Sequence, residues 1–117
     1  MLPDPVKFYS CDGVYKCVYC TYMASRFTWR DSKAARNLRK HHVSFEEATD
    51  VFYDEGRVEL FDEEHSEDQG RYSIIGFSNK ARLLFVSYVP MPGDRIHIIH
   101  ARVAETEHEQ LYEEYNR

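Results

Sequence analysis

The sequence has few of the features that mark membrane-spanning or secreted proteins. It contains three cysteines, five glycines and four prolines, and no run approaches the roughly 18 apolar residues of a membrane-spanning helix. Near the N-terminus, Lys7, Asp12 and Lys16 interrupt any apolar segment that could serve as a signal peptide. An odd number of cysteines does not fit a scaffold of paired disulfides. We therefore expect a cytoplasmic protein.

The chain does contain enough apolar and aromatic residues to form a core. Its 117 residues include nine tyrosines and seven phenylalanines, and 43% of all residues are hydrophobic. A chain of this length buries about two thirds of the surface that it exposes when unfolded. Because it shows no internal repeat and no low-complexity tract, we expect a single folded domain over residues 26–117, preceded by an extension over residues 1–25.

The charge of −5 is unevenly distributed along the chain. Residues 26–42 carry six basic residues and one acidic residue, whereas residues 43–70 carry eleven acidic residues and one basic residue. Residues 71–104 are basic again, with a net charge of +4, and the last thirteen residues are acidic. If folding brings the two basic blocks together, an acidic protein can still possess a cationic cleft.

The first basic block has the pattern of a helix over residues 32–42. Asp31 is the expected N-cap, and Ala34, Ala35 and Leu38 would form a narrow apolar side.

Two further helices are predicted from capping boxes, in which two side chains satisfy backbone donors of the first turn. Ser44 with Glu47 indicates a helix over residues 45–52, and Thr106 with Glu109 indicates a final helix.

Between these helices the pattern changes to short β-strands punctuated by turn residues. The acidic residues 63–70 form a loop in this interpretation, and short connections give antiparallel hairpins. The predicted strands are 26–29, 57–62, 71–78, 82–89 and 95–103. This order predicts an α+β fold with a small, mostly antiparallel sheet, packed with two N-terminal helices and one C-terminal helix.

Several segments, in this order and spacing, resemble the BrnT family, the toxin half of a bacterial type II toxin–antitoxin pair. The resemblance covers roughly residues 27–116. It rests on Phe27-Thr-Trp-Arg30 with the basic helix and capped second helix that follow, Asp62-x-x-His65-Ser66, Arg71-Tyr72-Ser-Ile-Ile-Gly76, Arg82-Leu-Leu-Phe-Val86 and Gly93-Asp-Arg95-Ile-His-Ile-Ile-His-Ala-Arg102.

The resemblance implies a RelE-like fold and a ribonuclease that cuts messenger RNA without a metal or other cofactor. It also implies a BrnA-like antitoxin partner, whose ribbon-helix-helix part binds DNA, so that the toxin contacts DNA only indirectly. A higher-order toxin–antitoxin oligomer would fit the same family. The alternative is a non-catalytic, degenerate toxin that binds its partner and acts as a co-repressor.

RNA cleavage of this kind needs cations at the phosphate and groups that move protons. Arginine suits the first role because its planar fork pairs with two phosphate oxygens. We expect Arg71, Arg82 and Arg102, at the ends of predicted strands, to bind phosphate in the catalytic site. Each of them could equally be a solvated strand-end charge. On the first interpretation, Arg82→Ala abolishes growth arrest without unfolding the domain.

A second set of residues is expected to bind RNA around that site. It comprises Lys33, Lys40, His41 and Arg95. Alternation along the last strand puts Arg95 on one face and Ile96, Ile98, His100 and Arg102 on the other. Because the isoleucines should face the core, Arg102 can reach a site only beyond the strand's end or past a bulge.

Among six histidines, His65 is the expected proton-transfer residue of the catalytic site. It belongs to the Asp-x-x-His-Ser segment that resembles the family, and its acidic neighbours favour the protonated ring. The competing role for His65 is to organise the loop by hydrogen bonding.

The cysteines form a separate feature of the N-terminal extension. Cys17-Val-Tyr-Cys20 with Cys11 offers three of the four ligands that a structural zinc site needs. Free thiols in an extension are the favoured interpretation, so no metal site is predicted.

Overall fold

The computed structural model describes residues 6–8, 26–62 and 70–117. The helices are α1 (Asp31–His41), α2 (Phe45–Thr49), which continues as a 3₁₀ turn (Asp50–Tyr53), and α3 (Thr106–Tyr115). The strands are β1 (Val6–Phe8), β2 (Phe27–Arg30), β3 (Val58–Phe61), β4 (Tyr72–Phe77), β5 (Leu83–Met91) and β6 (Arg95–Val103). None of the described helices is long and apolar enough to cross a membrane.

The strands form one sheet in the order β1-β2-β6-β5-β4-β3. Five of them come from the main body of the chain, and the three-residue β1 adds to the edge of β2. The pairing of β2 with β6 is parallel. The strands from β3 to β6 each pair antiparallel with the next strand along the chain. The predicted α+β class is confirmed, with a mixed sheet.

The hydrophobic core lies between one face of this sheet and the segment from α1 to the 3₁₀ turn. Phe45, Ala48 and Val51 are fully buried there, and Trp29 packs edge-on against Phe45 with ring centroids 5.8 Å apart. The sheet contributes a matching apolar layer to the same cluster, formed by Ile74, Leu84, Val86, Ile96, Ile98 and Ala101. Burial of this layer drives the helical segment onto the sheet.

Helix α1 differs from its prediction in both its start and its buried side. It begins at Asp31, so that Arg30 is the N-cap residue. Leu38, expected on the apolar side, is 50% exposed, whereas Asn37 is buried. The Asn37 amide donates to the carbonyls of Val43 and Ala101 at 2.9 and 2.7 Å and accepts from the Ala101 N–H. Because β2 pairs with β6 only near its start, Asn37 satisfies backbone groups of β6 beyond that pairing.

Both predicted capping boxes differ in the side chains that complete them. Ser44 Oγ accepts from the Glu47 N–H at 3.0 Å as expected, but the Glu47 carboxylate turns away to Ser78 Oγ at 2.7 Å and to Arg82. At α3 the N-cap is Glu105, one residue before the expected Thr106, and its partner is His108.

A bulge in β6 decides which residues face away from the core. Ser87 pairs with His100 and Tyr88 pairs with Ile98, so Ile99 is the extra residue between the two pairs. A bulge inserts one residue and reverses the alternation beyond it. His100 and Arg102 therefore leave the face of Ile96 and Ile98 on which unbroken alternation had placed them. Ala101 takes the core position instead.

Candidate functional site

A cleft of about 900 Å³ lies between α3 and the face of the sheet that is turned away from the core. Its floor is formed by residues of three strands, namely Ser73, Phe85, Ser87, His100 and Arg102. Helix α3 forms one wall through Glu107, His108 and Leu111. This is the face that the bulge at Ile99 supplies with polar side chains.

Three basic residues from separate elements line this cleft. Lys33 comes from α1, Arg71 immediately precedes β4, and Arg102 lies near the end of β6. The fold therefore brings together cations that are up to 69 positions apart in the sequence. A smaller depression of about 170 Å³ adjoins the cleft and shares Lys33, Ile99 and His100 with it.

The smaller depression extends the basic surface along α1. Its other lining residues include Arg36, Lys40 and His41. Of the seven described residues predicted for catalysis or RNA binding, five therefore lie on this continuous surface. They are Lys33, Lys40, His41, Arg71 and Arg102.

Arg102 is held over an aromatic ring of the cleft floor. Its guanidinium carbon lies 5.4 Å from the centroid of Phe85, a cation–π distance. Glu105 contacts the same guanidinium at 3.5 Å, and its side chain is 56% exposed. An ion pair so exposed to water holds its partner weakly. The Arg102 side chain is one-third exposed and remains accessible from the cleft.

His41 and His100 form a pair at the junction of the two depressions. Their Nε2 atoms lie 3.1 Å apart, and the rings meet edge to face at 85° with centroids 4.8 Å apart. Burial, with smaller contributions from His41, Arg102, Lys33 and Lys40, lowers the pKa of His100 to about 4. Burial also lowers the pKa of His41, with smaller contributions from Lys40 and Arg102. Both rings are therefore neutral near pH 7.

Contacts near both ends hold helix α3 in place, one with the sheet and one with the segment before β3. The His108 ring stacks on Phe85 at 4.2 Å, and its Nδ1 accepts from the Glu105 N–H at 3.0 Å. Toward its C-terminus, Tyr112 donates to Asp54 Oδ2 at 2.7 Å. Through this helix, Glu107 and Glu114 give the basic cleft an acidic wall.

Glu105, Glu107 and His108 form a group with the composition of a metal site. Their potential ligand atoms lie within 4.8 Å of one another. The Nδ1 atom of His108 already accepts a backbone hydrogen bond, and the two carboxylates are exposed. Exposed acidic groups of this kind are common without an ion, and we assign no metal to them.

Two of the predicted site residues that the structure describes, Arg82 and Arg95, lie away from this surface. The Arg82 guanidinium faces α2, where Nε donates to Glu47 at 2.9 Å and a terminal nitrogen donates to the His42 carbonyl at 3.0 Å. Arg95 is exposed at the start of β6, outside the described lining of the cleft. His65 and the cysteines Cys11, Cys17 and Cys20 lie outside the described residues.

His100 lies on this surface although the sequence analysis did not predict it there. Strand alternation placed it with Ile96 and Ile98 in the core. The sequence held a partial signal, since a bulge was one of the two ways in which Arg102 could reach a site. A bulge that precedes His100, as the one at Ile99 does, moves both His100 and Arg102 to the other face of the sheet.

Comparison with known proteins gives a family for this chain. The family model described as "Ribonuclease toxin, BrnT, of type II toxin-antitoxin system" matches residues 29–108, about two thirds of the sequence. The matched range contains the cleft floor and the basic residues of the described lining. No curated protein matches the chain.

Proposed function

The chain belongs to the BrnT family of ribonuclease toxins, and from this membership we propose that it is an endoribonuclease that cleaves messenger RNA in the cleft between α3 and the sheet. The proposal includes a RelE-like arrangement of the fold, with the first two helices on one face of the sheet and the last helix at the other. The toxin acts in the cytoplasm, where its substrate is translated.

The observation that carries this proposal is the convergence of Lys33, Arg71 and Arg102 on one cleft of a protein with net charge −5. Phosphate neutralisation supplies most of the affinity of proteins for RNA. A cleft lined with cations focuses the field and attracts an anion even when the whole protein repels it. The acidic wall formed by Glu107 and Glu114 then restricts the RNA backbone to the opposite side of the cleft.

In the proposed reaction, the ribose 2′-hydroxyl attacks the adjacent phosphate and the 5′ oxygen leaves. Arg71 and Arg102 hold the non-bridging phosphate oxygens and stabilise the charge that accumulates on them in the transition state. Lys33, Lys40 and His41 bind the flanking phosphates along α1. The reaction uses protein groups for charge stabilisation and proton transfer and takes no cofactor.

The proposed protein partner is a BrnA-like antitoxin that binds this chain and occludes the cleft. The sequence of residues 43–70 carries eleven acidic residues against one basic residue, and α3 adds further glutamates. This excess of negative charge favours a partner with a basic docking segment. In this proposal the toxin reaches DNA only through the antitoxin, in a complex that can assemble into a larger oligomer.

Expression of the chain in bacteria, alone and beside its neighbouring gene, tests the proposed function. We expect growth arrest and loss of total RNA when the chain is expressed alone, and relief of both by the neighbour. Healthy cells with intact RNA, in spite of soluble protein that binds the neighbour's product, would favour the degenerate toxin that acts as a co-repressor.

A further inference from the structure

We propose that His100 removes the proton from the attacking 2′-hydroxyl and that His41 positions it and stabilises its protonated form. This inference rests on the proposed ribonuclease function and assigns the proton transfer within the same cleft.

The two histidines have different access to the cleft. His100 lines both the cleft and the smaller depression, whereas His41 is among the described lining of the smaller depression alone. His100 is two residues from Arg102 on β6, and Arg102 also lines the cleft. A phosphate held by Arg102 therefore brings the neighbouring ribose toward His100, with His41 behind the ring. A strand holds a reacting group in a more defined position than a loop does.

The short contact between the rings limits how many protons they carry. At 3.1 Å between the two Nε2 atoms, one nitrogen donates and the other accepts, because a hydrogen bond needs one of each. The two rings therefore cannot both be imidazolium in this arrangement. One tautomer suits catalysis, the one in which His100 Nε2–H donates to His41 Nε2. His100 Nδ1 then carries a lone pair and can accept a proton.

Burial and the charges around the pair keep it neutral until a phosphate arrives. The neighbouring groups that lower the pKa of one or both rings are Lys33, Lys40, His42 and Arg102. Further titratable groups line the same two depressions, namely Arg36 on α1, Arg71 before β4, and Glu107 and His108 on α3. Cations near the ring disfavour its protonated form. A bound phosphodiester supplies the opposite charge, so substrate binding raises the affinity of His100 for the proton that it must accept.

The proposed step conserves atoms and charge. The 2′ O–H bond breaks and its proton goes to His100 Nδ1, while the 2′ oxygen forms a bond to phosphorus. The P–O5′ bond breaks, and its electron pair stays on the 5′ oxygen, which takes a proton from water. His100 then returns its proton to solvent. The products are a 2′,3′-cyclic phosphate and a free 5′-hydroxyl, and the protein ends as it began.

Single-turnover cleavage of a short RNA between pH 4.5 and 9 tests the two roles separately. The wild-type chain should lose activity on the acid side as the base becomes protonated. His100→Gln should lose on the order of 10²–10⁴-fold in rate, the usual contribution of a general base. It should also lose the acid limb of the pH profile, which is the fall in rate at low pH. His41→Gln should keep an acid limb, with its midpoint moved and its rate about tenfold lower, as expected for a positioning residue that contributes one hydrogen bond to a charged ring.

His97→Gln is the matched control. His97 is a half-buried histidine on the same strand, its Nδ1 contacts Thr28 Oγ1 at 2.8 Å, and burial lowers its pKa as it does for His100. This variant should cleave at the wild-type rate with the wild-type pH profile. Circular dichroism of all variants at each pH separates loss of catalysis from loss of fold.

A measurement without RNA tests the pair independently of turnover. In ¹⁵N-resolved NMR spectra at pH 7, His100 should carry its proton on Nε2, and its titration should lie below pH 5. Addition of a nucleoside 3′-monophosphate should move that titration upward.

Different results would overturn different parts of the account. Intact RNA with folded wild-type protein would contradict the proposed function, and the histidine assignment with it. Cleavage with an unchanged rate and acid limb in His100→Gln would contradict the histidine assignment alone. If the acid limb of the pH profile disappeared in His65→Gln and not in His100→Gln, the assignment of proton transfer to His100 would also be contradicted. Proton transfer would then be assigned to the segment between β3 and β4.

Discussion

Glu47 and Arg82 form an ion pair in which the carboxylate side chain is only 3% exposed and the guanidinium side chain is 32% exposed. The hydrogen bond from the Arg82 guanidinium is the main reason why the pKa of Glu47 lies below its ordinary value, and the Ser78 hydroxyl lowers this pKa as well. Arg82 also donates to the carbonyl of His42, a residue in the left-handed conformation at the end of α1. The pair therefore joins the start of β5 to the turn between α1 and α2.

Arg82→Ala should destabilise the fold. Removal of one partner from a buried pair leaves the other charge buried and costs about 3–5 kcal/mol. Arg57→Ala is the matched control, because Arg57 and its partner Glu59 are 40% and 49% exposed, and such pairs contribute less than about 1 kcal/mol. Urea unfolding of both variants measures the difference. Equal effects would contradict a structural role for Arg82, and full stability with lost toxicity would restore its expected role in phosphate binding.

Asn37→Ala should destabilise the protein far more than a change at the neighbouring apolar residue. The buried amide bonds two backbone carbonyls and one N–H, and leaving such groups unsatisfied costs about 1–3 kcal/mol. Leu38→Gln, at a half-exposed position, should change the free energy of unfolding by less than about 0.5 kcal/mol. Thermal unfolding of the two variants tests this, and the reverse order would contradict the observed orientation of α1.

Gly56→Ala should loosen the C-terminal end of α3. A Cβ atom at Gly56 would lie 2.6 Å from Asn116 Oδ1 and 2.7 Å from the Tyr112 hydroxyl, so both side chains must move. Displacement of the Tyr112 hydroxyl weakens its bond to Asp54, and loss of one such hydrogen bond costs about 1 kcal/mol. Hydrogen exchange in α3 should rise. Gly70→Ala, whose nearest contacts are ordinary at 3.5 Å, should leave exchange in α3 unchanged.

The stability of the protein should fall as the pH is lowered from about 6.5. His100 has a folded-state pKa of about 4 against an ordinary value of 6.5. Between these values the unfolded chain binds a proton that the folded chain does not, so the contribution of His100 to the free energy of unfolding decreases with decreasing pH and levels off below about 4. His100→Gln should show a smaller decrease between pH 7 and 5 in urea unfolding. An identical slope in both proteins would contradict the lowered pKa of His100.

Local sequence patterns predicted the ends of the helices better than they predicted the partners of the side chains. Ser44 and Glu47 have the spacing of a capping box, and the backbone half of that box is present. The spacing could not reveal that Arg82, 35 positions later, offers Glu47 a stronger partner than the backbone does. Charge-assisted bonds are stronger than neutral ones, so tertiary contact decided the orientation of Glu47.

The composition of the candidate site followed from the sequence only in part. The two basic blocks indicated a cationic cleft, and Lys33, Arg71 and Arg102 do converge on one. Strand alternation assigned His100 to the core. This assignment was wrong because alternation holds only where the pairing of the strands is regular. The bulge at Ile99 is a property of the pairing between β5 and β6, and a single strand read alone does not reveal it.

The most direct test of the central claim is cleavage of end-labelled RNA by the purified chain, with Arg102→Gln and Lys80→Gln as a matched pair. Lys80 is exposed in the turn between β4 and β5, outside the described lining of the cleft. We expect 2′,3′-cyclic phosphate ends with wild type and Lys80→Gln, and a cleavage rate lower by a factor on the order of 10²–10³ with Arg102→Gln. Cleavage by Arg102→Gln at the wild-type rate, with its fold intact, would contradict the assignment of the active site to this cleft.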